Sequence, residues 1–423
     1  LISWNSGLFF FPSCGAFAGA IFMQQIAAGG SCPVQAQDAL SARKGRSCVM
    51  RTLIGVNDPQ AVKKWASLMA VAINKESYWS RKFVGNGKDS RLPIQRIDDL
   101  QQGAGDEVTV DLLMPINQEP VIGDETLEGK EAPLKYYTDR LRIDQVRGGA
   151  DLGSRMTKKR TLRDLRSDAK RAATDWWKRL QDELYFIYLS GSRGHGSGFV
   201  WSANNPFFDI NPLTAPDSQH ILFGGAATSK ASLTAGDTFK LRLIDKAVAK
   251  AETMGGDGTD ELSMIPVSIE GGSHYICLMH TYQADAMRQD AGTGGWLDIQ
   301  KAAAAAEGNK NPIFQGTLGM YNDVVLHKHR NVIRFNDYGA GSNVNAARAL
   351  FLGAQAALIA YGDNETGTRF RWTEVQKDHE NSVAIGTHAI MGVKKATYKS
   401  KDGNVQRDFG VMALDTASTD PNA

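Results

Sequence analysis

His327 and His329, one residue apart, are the chain's nearest approach to a metal site. On a strand, alternation would point both side chains to the same face. No third ligand lies near them, however, and the flanking Lys328 and Arg330 oppose a cation. Asp257, Asp260 and Glu261 gather in a glycine-rich turn but miss the spacing of a calcium loop, so they read as plain turn residues. Gly87-Lys88-Asp89 and Gly129-Lys130-Glu131 lack the Ser or Thr that follows the lysine of a phosphate loop. The run Gly191, Gly194, Gly196, Gly198 follows a helical pattern, where a dinucleotide loop needs a preceding strand. Neither a G-x-S-x-G elbow nor an H-E-x-x-H helix occurs. The sequence thus calls for no catalytic group, cofactor or metal, which shifts the expectation toward a structural or binding role. An α+β enzyme with His327 or His329 in a pocket is the catalytic alternative, since many active sites lack linear signatures.

Cysteine usage agrees with that expectation. Cys14, Cys32, Cys48 and Cys277 include no C-x-x-C pair, so no zinc knuckle or thioredoxin-type site can be built. Cys277 lies inside the apolar run Tyr275-Ile276-Cys277-Leu278-Met279 and reads as a buried, inert thiol suited to a reducing compartment. The chain has 423 residues, 42% of them hydrophobic and 22% charged, enough for two or three compact domains. A net charge of +2 lacks the basic excess of a dedicated nucleic-acid binder.

Residues 1–49 differ from the rest. A Phe- and Gly-rich run from Gly7 to Met23, interrupted by Pro12, is too broken to be a good membrane span. It reads either as a signal-peptide core, with Val34-Gln35-Ala36 as the cleavage site, or as sequence upstream of a start at Met50. The second is favoured because no Lys or Arg precedes the apolar run. No long apolar segment occurs from Met50 onward.

The elements that must position any functional surface follow from periodicity. Asn57-Asp58-Pro59 starts a helix that carries Val62, Trp65, Leu68, Met69, Ala72 and Ile73 at three- and four-residue spacing. Val108, Val110 and Leu112, and then Leu141 and Ile143, alternate with polar residues and predict two half-buried strands. Between them, from about Pro115 to Pro133, runs a loop too long for a tight turn. It is acidic: Glu119, Asp124, Glu125, Glu128 and Glu131 stand against Lys130. A long amphipathic helix is predicted over 161–189, with Thr161 and Asp164 as a capping pair. Its apolar stripe is Leu162, Leu165, Ala169, Ala172, Trp176, Leu180, Leu184 and Ile187. Between Arg155 and Arg179 ten Lys or Arg face three Asp, a local charge of +7. Such a surface is either solvated or meets phosphate or a neighbour's acidic loop. Beyond the glycine run, strands are predicted over 275–280 and 323–326, and helices over 239–254, 296–306 and 344–361. The tail, 383–412, reads as returning strands. Several helices beside a few strands give an α+β class.

Stretches in constant order resemble the major capsid proteins of tailed phages of the coliphage N-four type. These are Gly55-Val56-Asn57-Asp58-Pro59 with Val62 and Trp65 at the arm, Gly103-Ala104-Gly105-Asp106 leading into the first long strand, and Gly123-Asp124-Glu125-Thr126-Leu127-Glu128-Gly129 in the acidic loop. Leu141-Arg142-Ile143-Asp144-Gln145 and Asp175-Trp176-Trp177 follow. Later come Leu278-Met279-His280 with Tyr282-Gln283, Lys310-Asn311-Pro312-Ile313-Phe314, Leu318-Gly319-Met320-Tyr321-Asn322 and the run Arg348 to Ala356. Coverage runs from about Gly55 to the C-terminus.

The resemblance implies the Hong Kong 97 capsid fold: an N-terminal arm (50–102), an extended two-stranded loop (103–147), a peripheral domain with a spine helix (148–205), an axial domain (206–375) and return strands (376–423). Residues 1–49 fall outside the pattern. It implies a shell built from pentamers and hexamers of the chain around packaged double-stranded DNA, assembled in the bacterial host cytoplasm. Portal, scaffolding or decoration proteins, and non-specific DNA contact, are the further partners; no membrane is implied. An encapsulin-like compartment is the nearer alternative. Some members of this fold join subunits through a Lys and an Asn; Lys130 lies in the corresponding loop, but no partner Asn is identified. The expected contact sets the acidic tip (Glu119, Asp124, Glu125, Glu128) against Arg163, Arg166 or Arg171 of the next subunit, with Trp176 and Trp177 adding apolar burial.

Overall fold

The computed structural model describes residues 59–421, apart from 88–89, 99, 101–104, 114–118, 133, 135, 197, 256–261, 270–271, 291–317, 363–368 and 400–405. The helix expected over 296–306 and the acids Asp257, Asp260 and Glu261 lie outside the described residues.

Helix α1 (Pro59–Glu76) begins at the proline anticipated for a first turn. Ser77 breaks it and caps α2 (Tyr78–Lys82), its hydroxyl accepting from Ser80 N. Two short strands, β1 (Val84–Asn86) and β2 (Ile94–Ile97), lead to the antiparallel pair β3 (Glu107–Leu113) and β4 (Tyr136–Arg142). After β5 (Asp144–Ser154) come α3 (Arg155–Arg160) and the 26-residue α4 (Leu165–Ser190). Asp164 caps the start of α4, so this helix begins later than expected, and Leu162 lies outside it. Gly191 ends α4 at φ 68°, and a Cβ there would collide with the Thr214 carbonyl, so only glycine closes the helix this way.

The remainder is α5 (Phe207–Ile210), β6 (Ile221–Phe223), α6 (Leu241–Thr253), β7 (Val267–Ile269), β8 (Gly272–Met279) and α7 (Thr281–Gln289). Strands β9 (Gly319–Tyr321), β10 (Val324–Lys328), β11 (Arg334–Tyr338), β12 (Val344–Leu352) and β13 (Ala357–Tyr361) follow. The chain closes with β14 (Arg371–Lys377), β15 (Ser382–Lys395), β16 (Thr397–Lys399), β17 (Gln406–Asp408) and β18 (Val411–Ala417).

Two mixed sheets organise these elements. The six-stranded sheet runs β1-β2-β13-β15-β14, with β5 also paired to β15. The eight-stranded sheet runs β6-β18-β12-β8-β10-β9, with β11 on β12 and β7 on β8. The sheets do not divide at residue 375. β13, expected in the axial segment, joins β15 together with β14, which straddles that boundary, whereas β18, expected among the return strands, pairs with β6 and β12.

The predicted helix over 344–361 is instead the two strands β12 and β13. The eight-stranded sheet is covered on both faces. Ile276, Leu278, Leu350 and Leu352 enter the large core beneath α1, α2 and α4. Tyr275, Cys277, Ala349 and Phe351 enter a second core with α6 and α7. A strand buried on both sides reads as an unbroken apolar run, which periodicity cannot tell from a buried helix.

Arg348 supplies the polar exception on β12. Its guanidinium donates to Asp415 at 2.7 and 2.8 Å, to the Tyr338 hydroxyl at 2.9 Å and to the Ser190 carbonyl at 2.8 Å. This buried fork ties the end of α4 to the eight-stranded sheet. Lys395, 1% exposed, pairs with Asp408 at 2.8 Å; burial lowers its pKa and Asp408 opposes that.

Candidate subunit interface

The β3–β4 arm is held at its base and bare at its tip. Val108, Val110, Leu112 and Tyr137 pack on a small core that contains Leu141, Leu358, Tyr398 and Phe409. Asn211 clamps Arg142, accepting from its N–H at 3.1 Å and donating to its carbonyl at 2.8 Å. Lys394 pairs with Asp139 and donates to the Arg140 carbonyl at 3.0 Å. Across the strands Arg142 Nε lies 2.8 Å from Glu107, which holds that carboxyl below the usual range.

Past this base the apolar side chains lose their cover. Leu113, Tyr136 and Leu134 are 55–58% exposed, Leu127 55% and Ile122 79%. The turn is organised locally: Lys130 N donates to the Leu127 carbonyl at 3.0 Å, and Lys130 Nζ pairs with Glu125 at 2.7 Å. Lys130 is therefore engaged within its own loop. Glu119, Asp124 and Glu128 are exposed and have no ion-pair partner among the described residues.

The basic segment has the complementary character. No residue of α3 is buried, and Met156 is 56% exposed. Leu162, expected within the buried stripe, is fully exposed because it precedes the Asp164 cap. Asp164 accepts from Arg166 N at 3.1 Å and caps α4, whereas Thr161, expected to cap the same helix, ends α3 and its hydroxyl accepts from Arg163 N at 3.3 Å in the turn between the two helices. Arg163 and Arg171 are exposed and without an ion-pair partner among the described residues. Arg166 is committed within its own chain, 2.6 Å from Glu374, whose Oε1 also accepts from Trp372 Nε1 at 2.9 Å.

Between α4 and the sheet beneath it lie two successive voids. One, of about 380 Å³, is rimmed by Lys158, Arg163 and Arg166 over Glu374. The next, of about 360 Å³, is apolar and lies between Ala172, Ala173 and Trp176 on α4 and Gly148, Ile385 and Thr387 below. Small residues create this slot: a Cβ on Gly148 would sit 2.6 Å from the Trp176 ring. Trp176 is half-buried and lines the slot. Trp177 is fully buried in its own subunit, its Nε1 donating to Thr387 at 2.9 Å and its ring edge-on to Phe370, so it secures α4 and has no surface to offer a neighbour. Met156, Leu162 and the slot were not anticipated, because each depends on where the helix starts and on which strand passes under it.

Of the other chemistry candidates, His327 and Cys277 are buried and His329 is half-buried. His327, 1% exposed, packs edge-on to Phe83, and His329 stacks on Phe186 at 4.8 Å. Among the described residues no His, Cys, Asp and Glu cluster could hold a metal ion. Cys277 is buried, and burial pushes its thiol up to about 12. No helix among the described residues is long and apolar enough to cross a membrane.

The sequence model of the phage capsid protein family matches residues 53–420. The chain is similar to a structure titled as the capsid of Ralstonia phage GP4, with 45% identity, TM-score 0.74, and 88% of this chain and 100% of that one covered. It is also similar to the capsid asymmetric unit of cyanophage Pam1, at 19% identity and TM-score 0.57 over 79% of this chain and 90% of that one. A protein of Pseudomonas phage KPP25 named major capsid protein is 26% identical over 359 residues, covering 78% of this chain and 89% of that protein.

Proposed function

Because the chain belongs to the phage capsid protein family, we propose that it closes an icosahedral shell by laying its β3–β4 arm on the next copy. The protein is a structural subunit of a phage capsid with the tailed-phage capsid fold, and many copies make up the shell. In this reading the six-stranded sheet with α1, α2 and α4 is the peripheral part. The eight-stranded sheet with α6 and α7 is the axial part, which gathers pentamers and hexamers.

The observation that carries the reading is the arm tip. Its apolar side chains are uncovered by their own chain, and three of its carboxylates are unpaired among the described residues. The facing surface on a neighbour is the segment from Lys158 to Arg171, where unpaired cations flank exposed Leu162 and the apolar slot beside Trp176. Rim charge pairs of this kind contribute about 0–1 kcal/mol each and set register more than strength. Each apolar side chain buried contributes about 1.5–3 kcal/mol. Arg163 and Arg171 are the cations open to a neighbour, and Arg166 takes part through the rim it shares with Glu374.

Assembly rather than catalysis is the work of this subunit. The shell encloses double-stranded DNA, which a near-neutral chain touches only non-specifically and in a salt-dependent way. It is assembled in the host cytoplasm, with portal, scaffolding or decoration proteins as further partners. The test replaces residues 116–132 by an Asn-Gly turn, which keeps the β3–β4 pair closed. The variant should purify as a folded subunit that forms no closed shells by electron microscopy; normal shells would remove the arm from the mechanism.

A further inference from the structure

Where the helical layer meets the eight-stranded sheet, two imidazoles serve as hydrogen-bond acceptors. His280 caps α7: its Nδ1 accepts from Tyr282 N at 3.2 Å while its own N–H donates to Gln283 Oε1 at 2.8 Å. His329, just beyond β10, accepts from Asn331 N at 3.1 Å through Nδ1, and its own N–H donates to the Met279 carbonyl at 3.0 Å. The His329 ring is stacked on Phe186 of α4 at 4.8 Å and lies 4.7 Å from the Tyr78 ring of α2. One imidazole therefore anchors a helix of the sheet layer. The other touches one ring of α2 and one of α4.

We propose that this joint is an acid-sensitive latch, closed only while His280 and His329 are both neutral. An imidazole that accepts through Nδ1 must carry its proton on Nε2. A second proton would place an N–H at Nδ1 opposite the main-chain N–H it now receives, which turns a hydrogen bond into a repulsion. Both acceptors would be lost together, opening the α7 cap and the seat of Tyr78.

The surrounding charges reinforce this. Arg334 acts on His280, and a hydrogen bond to the Arg330 main chain opposes it. Arg330 and His280 act on His329. The Tyr282 hydroxyl donates to Asp420 at 3.1 Å, and Arg334 covers the Tyr282 ring at 4.9 Å. On the helical side Asp182 accepts from Tyr78 N and Lys82 lies over the Tyr78 ring. His327 lies beside Tyr78 and Phe83. Among the described residues no carboxylate contributes to the shift of either imidazole, so acidification adds positive charge to a cationic neighbourhood.

Burial first, and these cations second, hold both histidines at about 4, against 6.5 for a free imidazole. A folded-state value below the unfolded one means the stabilisation is complete above pH 6.5 and is lost as pH falls toward 4. The buried carboxyls Asp182, Glu183 and Asp408 are raised by burial and act in the opposite sense, and Asp217, which is depressed, contributes only at lower pH. The decline between pH 6.5 and 4.5 that the two histidines remove when replaced is therefore the latch's signature. At pH 4.5 each site should shift the unfolding equilibrium by about a hundredfold.

The test compares the full chain with His280→Asn/His329→Asn. An Asn side chain can accept at both positions, as a helix cap and as an Asx turn, and does not titrate. Denaturant unfolding across pH 7.5 to 4.5 should show the wild type losing stability relative to the double variant. Parallel profiles would overturn the proposal. Should the variant not fold, NMR titration of the wild-type imidazoles decides: ring signals still neutral at pH 5 support the latch, and titration near 6.5 overturns it. The outcome is independent of the arm, because the unassembled subunit is what is measured.

Discussion

Ile122→Ser with Leu127→Ser separates assembly from folding at the arm tip. The two side chains are 79% and 55% exposed in the subunit, so removing them costs its own fold almost nothing. If a neighbour covers them in the shell, what is lost is the burial still available. Full burial of such a side chain contributes about 1.5–3 kcal/mol. Scaled to the exposed fractions, the pair contributes about 3 kcal/mol per arm. That corresponds to a rise of about a hundredfold in the apparent critical concentration for assembly. Sedimentation of shells against free subunit over a concentration series reads this directly, with thermal unfolding of the free subunit as the control. Unchanged assembly at equal subunit stability would show that the tip buries no apolar surface on a neighbour.

Three further outcomes concern the subunit's own stability. Arg348→Met leaves Asp415 buried without its guanidinium and should cost about 3–5 kcal/mol, much of it recovered in Arg348→Met/Asp415→Leu, as urea unfolding of the double-mutant cycle would show. Gly148→Ala puts a methyl 2.6 Å from the Trp176 ring and should cost about 1–3 kcal/mol, with a change in tryptophan fluorescence. At the β14–β15 turn Asp378, His379 and Glu380 are all left-handed, at φ 52°, 48° and 68°; His379→Gly should raise stability by about 1 kcal/mol, measured by thermal unfolding.

Much of the α+β architecture was legible in local pattern. The amphipathic repeat and the glycine stop gave α4, the two-residue alternation gave β3 and β4, and the tail read as returning strands. The acidic loop was visible as composition, because its charges lie close together along the chain. Local pattern failed where the partner lies far away in sequence. β5, rich in glycine, shows no strand signal of its own; it is a strand because β15 pairs with it and Trp176 needs the space above Gly148. Residues 344–361 are two strands and not a helix, because core lies on both faces of each: Leu350 and Phe351 of β12 enter opposite cores of the eight-stranded sheet, and Leu358 and Ile359 of β13 enter opposite cores of the six-stranded one.

The proposed interface divides the same way. That the arm tip is acidic and the segment from Arg155 basic was written in the sequence, since charge is a property of residue type. Which of these groups remain available was decided only by the tertiary structure. Glu374 takes Arg166, Thr387 and Phe370 enclose Trp177, and the cap at Asp164 leaves Leu162 outside. Periodicity reports which face of an element is apolar, whereas burial depends on what the rest of the chain lays against that face.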